Sequence, residues 1–194
     1  MVASAAELIR RHGASATTID RVLADSEAPR GSVYHHFPGG RAQLVAEAVA
    51  YASVHGAAPL PGTVPTPPGD GPNPALPDPL AVLDGIVETW RRRLTASDFR
   101  AGCTVLAVAV EGDGQLPEAY AAAGEALTTW RTRLTDLLVG HGAPASEATN
   151  LATLAVASIE GAIILCRTDA SLVPLETTAT YLHDLFAAAL ERAR

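Results

Sequence analysis

The side chains best suited to chemistry lie between residues 30 and 41 of this 194-residue chain. Arg30 carries a guanidinium fork that can pair with guanine O6 and N7, a contact worth about 1–3 kcal/mol of discrimination. Gly31 allows a nucleic-acid backbone to approach closely, and Ser, Tyr and His side chains can bind phosphates. The other polar residues of this stretch are Ser32, Tyr34, His35, His36 and Arg41. These residue types point to DNA recognition.

The elements that must position these side chains are two short amphipathic helices between Thr17 and Phe37. Thr17 or Thr18 opens the first helix, because Ser and Thr are preferred N-cap residues. Pro29 suits the first turn of the second helix. The intervening turn is predicted at residues 25–28. This is the spacing of a helix-turn-helix, whose second helix enters the major groove.

Other chemistry finds no support in the sequence. No Ser/His/Asp set, glycine-rich phosphate loop or paired-carboxylate motif is recognisable, so we predict no catalytic residues, no cofactor and no enzymatic activity. The histidines lack metal-ligand spacing, so no metal site is expected. Cys103 and Cys166, the two cysteines, are interpreted as small buried hydrophobes. Glu111 and Glu160 lie in apolar helices and need partners or water if they are buried.

The formal charge of −7 is unevenly distributed. Residues 1–56 hold five basic and five acidic groups, with four of the six histidines, and so carry no net charge. Residues 57–194 hold nine basic and sixteen acidic groups, which accounts for the whole −7. A polyanion such as DNA would be repelled by the acidic residues 57–194 and would approach the neutral residues 1–56 more readily. Overall acidity therefore does not exclude DNA as a partner.

Helical periodicity runs through the rest of the chain, and about nine helices in an all-α fold are predicted. Nine of the fourteen prolines fall in residues 57–79, which we interpret as a linker or surface loop. The segment divides the chain into two predicted domains. Residues 1–56 form a helix-turn-helix domain with a connecting helix, and residues 80–194 form a larger helical domain. No apolar run reaches about eighteen residues and no signal peptide is apparent, so a cytoplasmic protein with no membrane partner is expected.

The residues around the predicted second helix also carry a family resemblance. Residues 28–41 read APRGSVYHHFPGGR, preceded by AAELI at 5–9, HG at 12–13 and ATT at 16–18. This sequence closely resembles the DNA-binding region of TetR-family transcriptional regulators, in particular the LmrA/YxaF-like branch. The detailed resemblance covers about residues 3–50, and the remainder matches more loosely. It implies a three-helix DNA-binding domain followed by a C-terminal helical domain that binds an effector and dimerises.

Roles for single residues follow from the resemblance. Thr17 would cap the first helix of the helix-turn-helix, which is the second helix of the chain, and would bind phosphate. Arg30, Gly31 and Ser32 would face base edges or the adjacent backbone. Tyr34, His35 and Arg41 would hold phosphates, and Arg41 would open the fourth helix. For His35 and His36 a packing role remains the alternative. The partner would be a double-stranded operator.

In the C-terminal domain the resemblance implies an effector cavity and a dimer interface. Candidate effector contacts, for which ordinary core packing is the alternative, are Glu88, Trp90, Cys103, Tyr120, Trp130 and Glu160. The last two helices would form a four-helix interface between two protomers. Its candidate residues are Ala155, Ser158, Ile159, Ala162, Ile163, Cys166, Tyr181, Leu182, Leu185 and Phe186. A C2 dimer would hold its recognition helices about 34–36 Å apart and so bind a pseudo-palindromic site.

Two departures from the family pattern keep a second hypothesis open. Glu27 stands in the turn where the family usually has a left-handed Gly, at a cost of roughly 1–2 kcal/mol. The first helix starts at Val2 without a basic N-terminal extension. The main hypothesis is therefore a ligand-responsive repressor, released from DNA by a small apolar or amphipathic molecule. The alternative is a small-molecule-binding protein whose DNA binding is weakened or lost.

Overall fold

A computed structural model of the protein describes residues 1–55, 76–112, 114 and 116–192. Within these residues the chain forms nine α-helices and no β-strand, which confirms the all-α prediction. In chain order they are α1 (Val2–His12), α2 (Ile19–Ser26), α3 (Arg30–His36), α4 (Gly40–His55), α5 (Pro79–Ala96), α6 (Thr104–Glu111), α7 (Pro117–Gly140), α8 (Ala145–Asp169) and α9 (Val173–Glu191).

The described residues form two compact units. The first contains those of Met1–Gly56 and Arg100–Leu127, and the second those of Ala57–Phe99 and Thr128–Arg194. These units do not coincide with the predicted ranges 1–56 and 80–194, because α6 and the first part of α7 belong to the first unit. Helical periodicity shows which face of a helix is apolar but not which helix covers it.

In the first unit α1 packs against α2, α4 and α6, and α2 packs against α3. Ile9, Val22 and Val33 are fully buried there. Hydrogen bonds also join α6 and the residues before it to α1. The buried hydroxyl of Thr104 donates to the Ala6 carbonyl at 3.0 Å, and the Gly102 amide donates to the Arg10 carbonyl at 2.9 Å. Both apolar packing and polar bonds therefore hold α6 on α1.

In the second unit α8 packs against α9, and α5 packs against both. Its core includes Leu83, Ile163 and Phe186, all fully buried. α5 begins at Pro79, whose missing amide proton is tolerated in a first helical turn, and the Asp78 side chain accepts from the Leu80 amide at 3.3 Å. Most of the predicted proline-rich segment, residues 57–75, lies outside the described residues.

Among the described helices, α8 alone is long and apolar enough to span a membrane by length and composition. Its 25 residues include an 18-residue window with a mean hydropathy of 1.6, of which 44% is buried within the protein. A core helix of a globular protein meets the same criterion. One such helix is weak evidence for a membrane segment, and α8 packs against both α5 and α9.

Candidate functional site

The candidate DNA-reading element consists of α2, a three-residue turn and α3. The Thr18 hydroxyl accepts from the Arg21 amide at 3.3 Å and so caps α2. α2 ends at Glu27, whose φ of 52° and ψ of 27° are left-handed, and the Ala28 amide closes the turn on the Leu23 carbonyl at 3.1 Å. The turn is thus residues 27–29 rather than 25–28. The expectation that Glu27 occupies a left-handed position is confirmed.

One face of α3 is buried and the opposite face is open. Val33 is fully buried, whereas the Tyr34 side chain is 71% exposed. The His35 and His36 rings are also exposed, and they pack edge to face with their centroids 5.1 Å apart. Around Gly31 no heavy atom lies within 4 Å of the position that a Cβ would take. The open face of α3 is therefore free of neighbouring protein at Gly31 and rich in hydrogen-bonding groups.

Arg30 lies on this open face with 84% of its side chain exposed. Its Nη2 is 3.0 Å from Oδ1 of Asp20, which is also largely exposed. Exposed ion pairs contribute about 0–1 kcal/mol, so this pair can exchange for a nucleic-acid contact at little cost. Ser32 is less available, because it is half-buried and its hydroxyl donates to the Pro29 carbonyl at 2.6 Å.

Two residues expected at the phosphates are engaged inside the protein. Thr17 does not cap α2, since Thr18 has that role; Thr17 is buried and its hydroxyl donates to the Gly13 carbonyl at 2.9 Å. Arg41 is half-buried in the first turn of α4. Its Nε donates to the Thr17 carbonyl at 2.9 Å, and its Nη2 donates to the Ala14 carbonyl. Sequence spacing placed Arg41 correctly at the start of α4 but could not reveal these backbone partners.

Three of the six candidate effector residues line one pocket in the second unit. Trp90 from α5, Trp130 from α7 and Glu160 from α8 meet around a cavity of about 40 Å³. The remaining lining is aliphatic and consists of Ile86, Leu134, Val156 and Ile159. All three predicted residues are buried. An apolar cavity with one carboxyl group is the usual composition of a small-molecule site.

The other three candidates do not line this pocket. Glu88 is exposed, with its carboxylate oxygens 2.6 Å from Arg91 and 3.8 Å from Arg92. Cys103 is buried as the N-cap of α6 and accepts from the Leu106 amide at 3.5 Å. Tyr120 is on an exposed face of α7. Cys103 and Tyr120 both belong to the first unit.

The predicted dimer residues fall into two groups. Most of them are buried within the protomer itself, so they have no surface to offer a partner. This group consists of Ala155, Ile159, Ala162, Ile163, Cys166, Leu182 and Phe186. Only Tyr181 and Leu185 are exposed, and Ser158 is half-buried. The seven buried residues belong to the protomer's own core, and the four-helix interface of α8 and α9 stays a prediction.

A second apolar face of α8 was missed. Leu154, Ile164 and Leu165 are large apolar side chains exposed on this helix, and Tyr181 and Leu185 are exposed on α9, which packs against α8. We call these five residues the α8–α9 apolar face. One face of α8 carries positions 154, 157/158, 161 and 164/165, which repeat at helical spacing. This repeat is the sequence signal that could have identified the face.

Within the described residues no group of three or more His, Cys, Asp or Glu side chains is placed to hold a metal ion. Both cysteines are buried and free of disulfides. Burial raises the pKa of the Cys166 thiol, and the negative charges of Asp169 and Glu176 add to that effect. A hydrogen bond with the Leu175 backbone partly offsets it.

Comparison with known proteins agrees with this arrangement. Residues 2–48 match the model of the bacterial regulatory proteins of the tetR family, and residues 79–181 match the C-terminal domain of LmrA/YxaF-like transcriptional regulators. The HTH-type transcriptional regulator Rv0196 of Mycobacterium tuberculosis is 42% identical over all of this chain and 96% of its own length. LmrA of Bacillus subtilis is 25% identical over 95% of this chain and 94% of its own length.

Solved structures agree with the fold. The regulatory protein TetR from Rhodobacter sphaeroides aligns with a TM-score of 0.73 at 23% identity over 95% of each chain. A TetR regulator from Chloroflexus aurantiacus aligns with a TM-score of 0.68 at 24% identity over 96% of this chain and 91% of that one. Fold and helix-turn-helix together define a helical DNA-binding transcriptional regulator. The chain belongs to the TetR family, and its C-terminal part is of the LmrA/YxaF-like type.

Proposed function

We propose that the protein is a homodimeric repressor that binds a pseudo-palindromic operator and releases it when a small molecule occupies the pocket of the second unit. The observation that supports operator binding most strongly is the open face of α3. Arg30, Tyr34 and His35 extend from a helix whose opposite side is fixed by the buried Val33. A rigid helix with exposed polar side chains is the usual reader of the major groove.

The proposed roles on DNA follow from exposure and chemistry. Arg30 pairs with a guanine edge, and Gly31 brings the helix backbone close to the duplex. Tyr34, His35 and His36 donate hydrogen bonds to phosphates, with Ser32 as a minor contributor. The amide groups at the start of α2 offer a further phosphate contact, which we assign to the exposed cap Thr18 instead of the buried Thr17.

Dimerisation is proposed through the α8–α9 apolar face. Leu154, Ile164 and Leu165 repeat at helical spacing on α8, and exposed apolar residues grouped on one helix face often mark an interaction site. A second copy of the chain is the proposed partner, because a C2 contact uses the same face twice and packs α8 and α9 of both protomers as four helices. The two recognition helices would then read half-sites about 34–36 Å apart.

The effector site is proposed between α5, α7 and α8. Its volume of about 40 Å³ is well below the roughly 300 Å³ of a typical ligand pocket, so a ligand must push these helices apart to enter. Such a ligand binds the opened conformation more tightly than the closed one. This difference in affinity is the condition for shifting a conformational equilibrium away from DNA binding. Trp90 and Trp130 favour an apolar body, and Glu160 favours a hydrogen-bond donor such as an amine.

Operator binding can be tested without knowing the regulated genes. Selection from a random DNA pool, followed by fluorescence anisotropy at physiological salt, should yield a palindromic consensus and its affinity. Arg30→Ala should weaken binding about 5- to 150-fold and relax one base position, as expected for loss of about 1–3 kcal/mol. Arg92→Ala is the matched control, since it removes another largely exposed arginine, 70% against 84% exposed, from the second unit.

Two results would overturn the assignment. One is a wild-type protein that enriches no sequence, and the other is an Arg30→Ala variant indistinguishable from Arg92→Ala. The first result would favour the alternative function, a small-molecule-binding protein without specific DNA binding. The left-handed Glu27 is the observation behind that alternative, because it strains the turn that sets the angle between α2 and α3.

The effector site has a built-in reporter, since both tryptophans of the chain line the pocket. A long-chain alkylamine should quench or shift tryptophan emission and lower DNA affinity, and a fatty acid of equal length should do so less. Glu160→Gln should reduce the preference for the amine. Two results would contradict this part of the proposal. One is an emission change on amine binding that is the same in Trp90→Phe and in Trp130→Phe as in the wild type. The other is amine binding that leaves the DNA affinity unchanged.

A further inference from the structure

The segment that joins α1 to α2, residues 13–18, is held by a side chain from α6. Both oxygens of the Glu111 carboxylate accept hydrogen bonds from it. Oε1 accepts from the Ala14 amide at 2.6 Å, and Oε2 accepts from the Ser15 amide at 2.7 Å and from the Ser15 hydroxyl at 2.5 Å. Hydrogen bonds to a charged acceptor are stronger than neutral ones. We call residues 13–18 the α1–α2 loop.

A cation from α4 holds the same loop through its carbonyl groups. The Arg41 guanidinium donates to the Thr17 carbonyl at 2.9 Å and to the Ala14 carbonyl. The backbone of Ala14 therefore donates to a carboxylate and accepts from a guanidinium, while its side chain is buried. The two side chains have opposite charges and opposite hydrogen-bonding capacity, so they satisfy the two kinds of backbone group.

Gly13 shows how closely Glu111 approaches. Its φ of 84° favours glycine for conformational reasons alone. In addition, a Cβ at this position would lie 2.7 Å from the Oε1 of Glu111, so any other side chain would displace the carboxylate. Both the conformation of the loop and its contact with α6 depend on this glycine.

The loop leads directly into the helix-turn-helix. Thr17 and Thr18 are its last residues, and Thr18 caps α2. Arg41 follows α3 at the start of α4. A polar cavity of about 150 Å³ adjoins Glu111, Arg41 and Ser15. This cavity is polar and large enough to hold water, so a carboxylate released from the loop would be solvated there.

We infer that Glu111 and Arg41 are positioning residues for DNA binding, which clamp the α1–α2 loop and thereby set the orientation of α2 and α3. The inference rests on the proposed function. It departs from the sequence-based role of Arg41 as a phosphate contact, and it assigns a function to a carboxylate of α6. We call this arrangement the loop clamp.

The Glu111→Gln variant distinguishes the loop clamp from a simple charge effect, because the two predict changes of DNA affinity in opposite directions. Removing a negative charge from a DNA-binding unit should tighten DNA binding through electrostatics alone. Loss of the clamp should instead weaken it about tenfold, since the amide group of Gln cannot accept all three hydrogen bonds. Glu118→Gln is the matched control: it removes the same charge from an exposed position in the first turn of α7.

The variants would be compared on the DNA selected by the wild-type protein, over a range of salt concentrations. For Arg41→Gln the clamp predicts weaker binding with an unchanged salt dependence. Loss of a phosphate contact would instead make the negative slope of log K against log salt shallower by about 0.9 for each contact, or about 1.8 for the two protomers of the proposed dimer. Hydrogen exchange measured by NMR should show faster exchange of the Ala14 and Ser15 amides in Glu111→Gln, and no change in Glu118→Gln.

Different results separate the failure of this inference from that of the proposed function. If the wild type binds specific DNA and Glu111→Gln binds it equally well or better, the loop clamp has no positioning role. A shallower salt dependence for Arg41→Gln would show that Arg41 contacts a DNA phosphate, as the sequence predicted, and does not act through the loop. If the wild type selects no DNA, the proposed function itself fails. Ser15→Ala, which removes one of the three donors, is the milder variant should Glu111→Gln not fold, and it should weaken binding by a few-fold.

Discussion

Helix α3 separates its buried and exposed faces by polarity, whereas helix α8 carries apolar side chains on both. In α3, Val33 is buried and the polar Tyr34, His35 and His36 are exposed. In α8, Ile163 is buried and its near neighbour Leu165 is 54% exposed. Polarity alone thus separates the exposed face of α3 from its buried face. On α8 the exposed face can be recognised only after the protomer's own packing is known.

The largest effect is expected from placing the same charge on the two faces of α8. Ile163→Glu should destabilise the protomer by about 3–5 kcal/mol, because an unpaired charge would be buried in the core. Leu165→Glu should leave the fold intact and dissociate the proposed dimer. Thermal unfolding by circular dichroism and sedimentation velocity measure the two outcomes.

Val110→Glu is the control for this comparison. It adds the same charge at an exposed apolar residue of α6, in the first unit, and should change neither stability nor oligomeric state. A Leu165→Glu protein that remains dimeric would show that the α8–α9 apolar face is not the interface. A well-folded Ile163→Glu protein would contradict the division of α8 into a core face and a partner face.

The same contrast explains what the sequence could predict. The helix count, the cap-and-turn signals and the polar face of α3 all depend on residues close together in the chain, and nine helices form within the described residues. The roles of Arg41 and Glu111 depend on backbone atoms of a distant or irregular segment, which have no sequence signature. Glu111 and Ala14 are 97 residues apart.

The burial of most predicted interface residues has a related cause. The small residues Ala155 and Ala162 are buried, so they pack closely within the protomer. Periodicity cannot distinguish a face packed by α9 of the same chain from a face packed by another chain. Trp90, Trp130 and Glu160, three of the six candidate effector residues, line one pocket, because large aromatic side chains on amphipathic helices converge on the core.

A smaller effect is expected at the left-handed ends of two helices, one in each unit. Glu27 ends α2 with a φ of 52°, and Ala170 ends α8 with a φ of 47°. Because glycine adopts this conformation without a Cβ penalty, Glu27→Gly and Ala170→Gly should each raise the free energy of unfolding by about 1 kcal/mol. Urea titration at constant pH measures both changes.

These two substitutions also separate stability from DNA binding. Ala170→Gly lies in the second unit and should stabilise the protein without altering DNA affinity. Glu27→Gly relieves strain in the turn before α3 and removes a negative charge, so it should tighten DNA binding as well as stabilise the fold. Equal DNA affinities for wild type and Glu27→Gly would show that the turn is already in its binding conformation, and that Glu27 is no reason to expect weakened DNA binding.

The smallest effect is expected from the Cys166 thiol on α8. Burial raises its pKa in the folded protein, so the folded state holds the proton more tightly than the unfolded state. The resulting stabilisation is fully present below the ordinary thiol pKa of about 8.5 and is lost as the pH rises towards the folded-state pKa. Wild type should therefore lose stability above about pH 8.5 more steeply than Cys166→Ala, when both are followed by urea unfolding. Parallel pH profiles for the two proteins would mean that the thiol titrates alike in the folded and unfolded states, and that this side of α8 is less well shielded from water than its buried residues indicate.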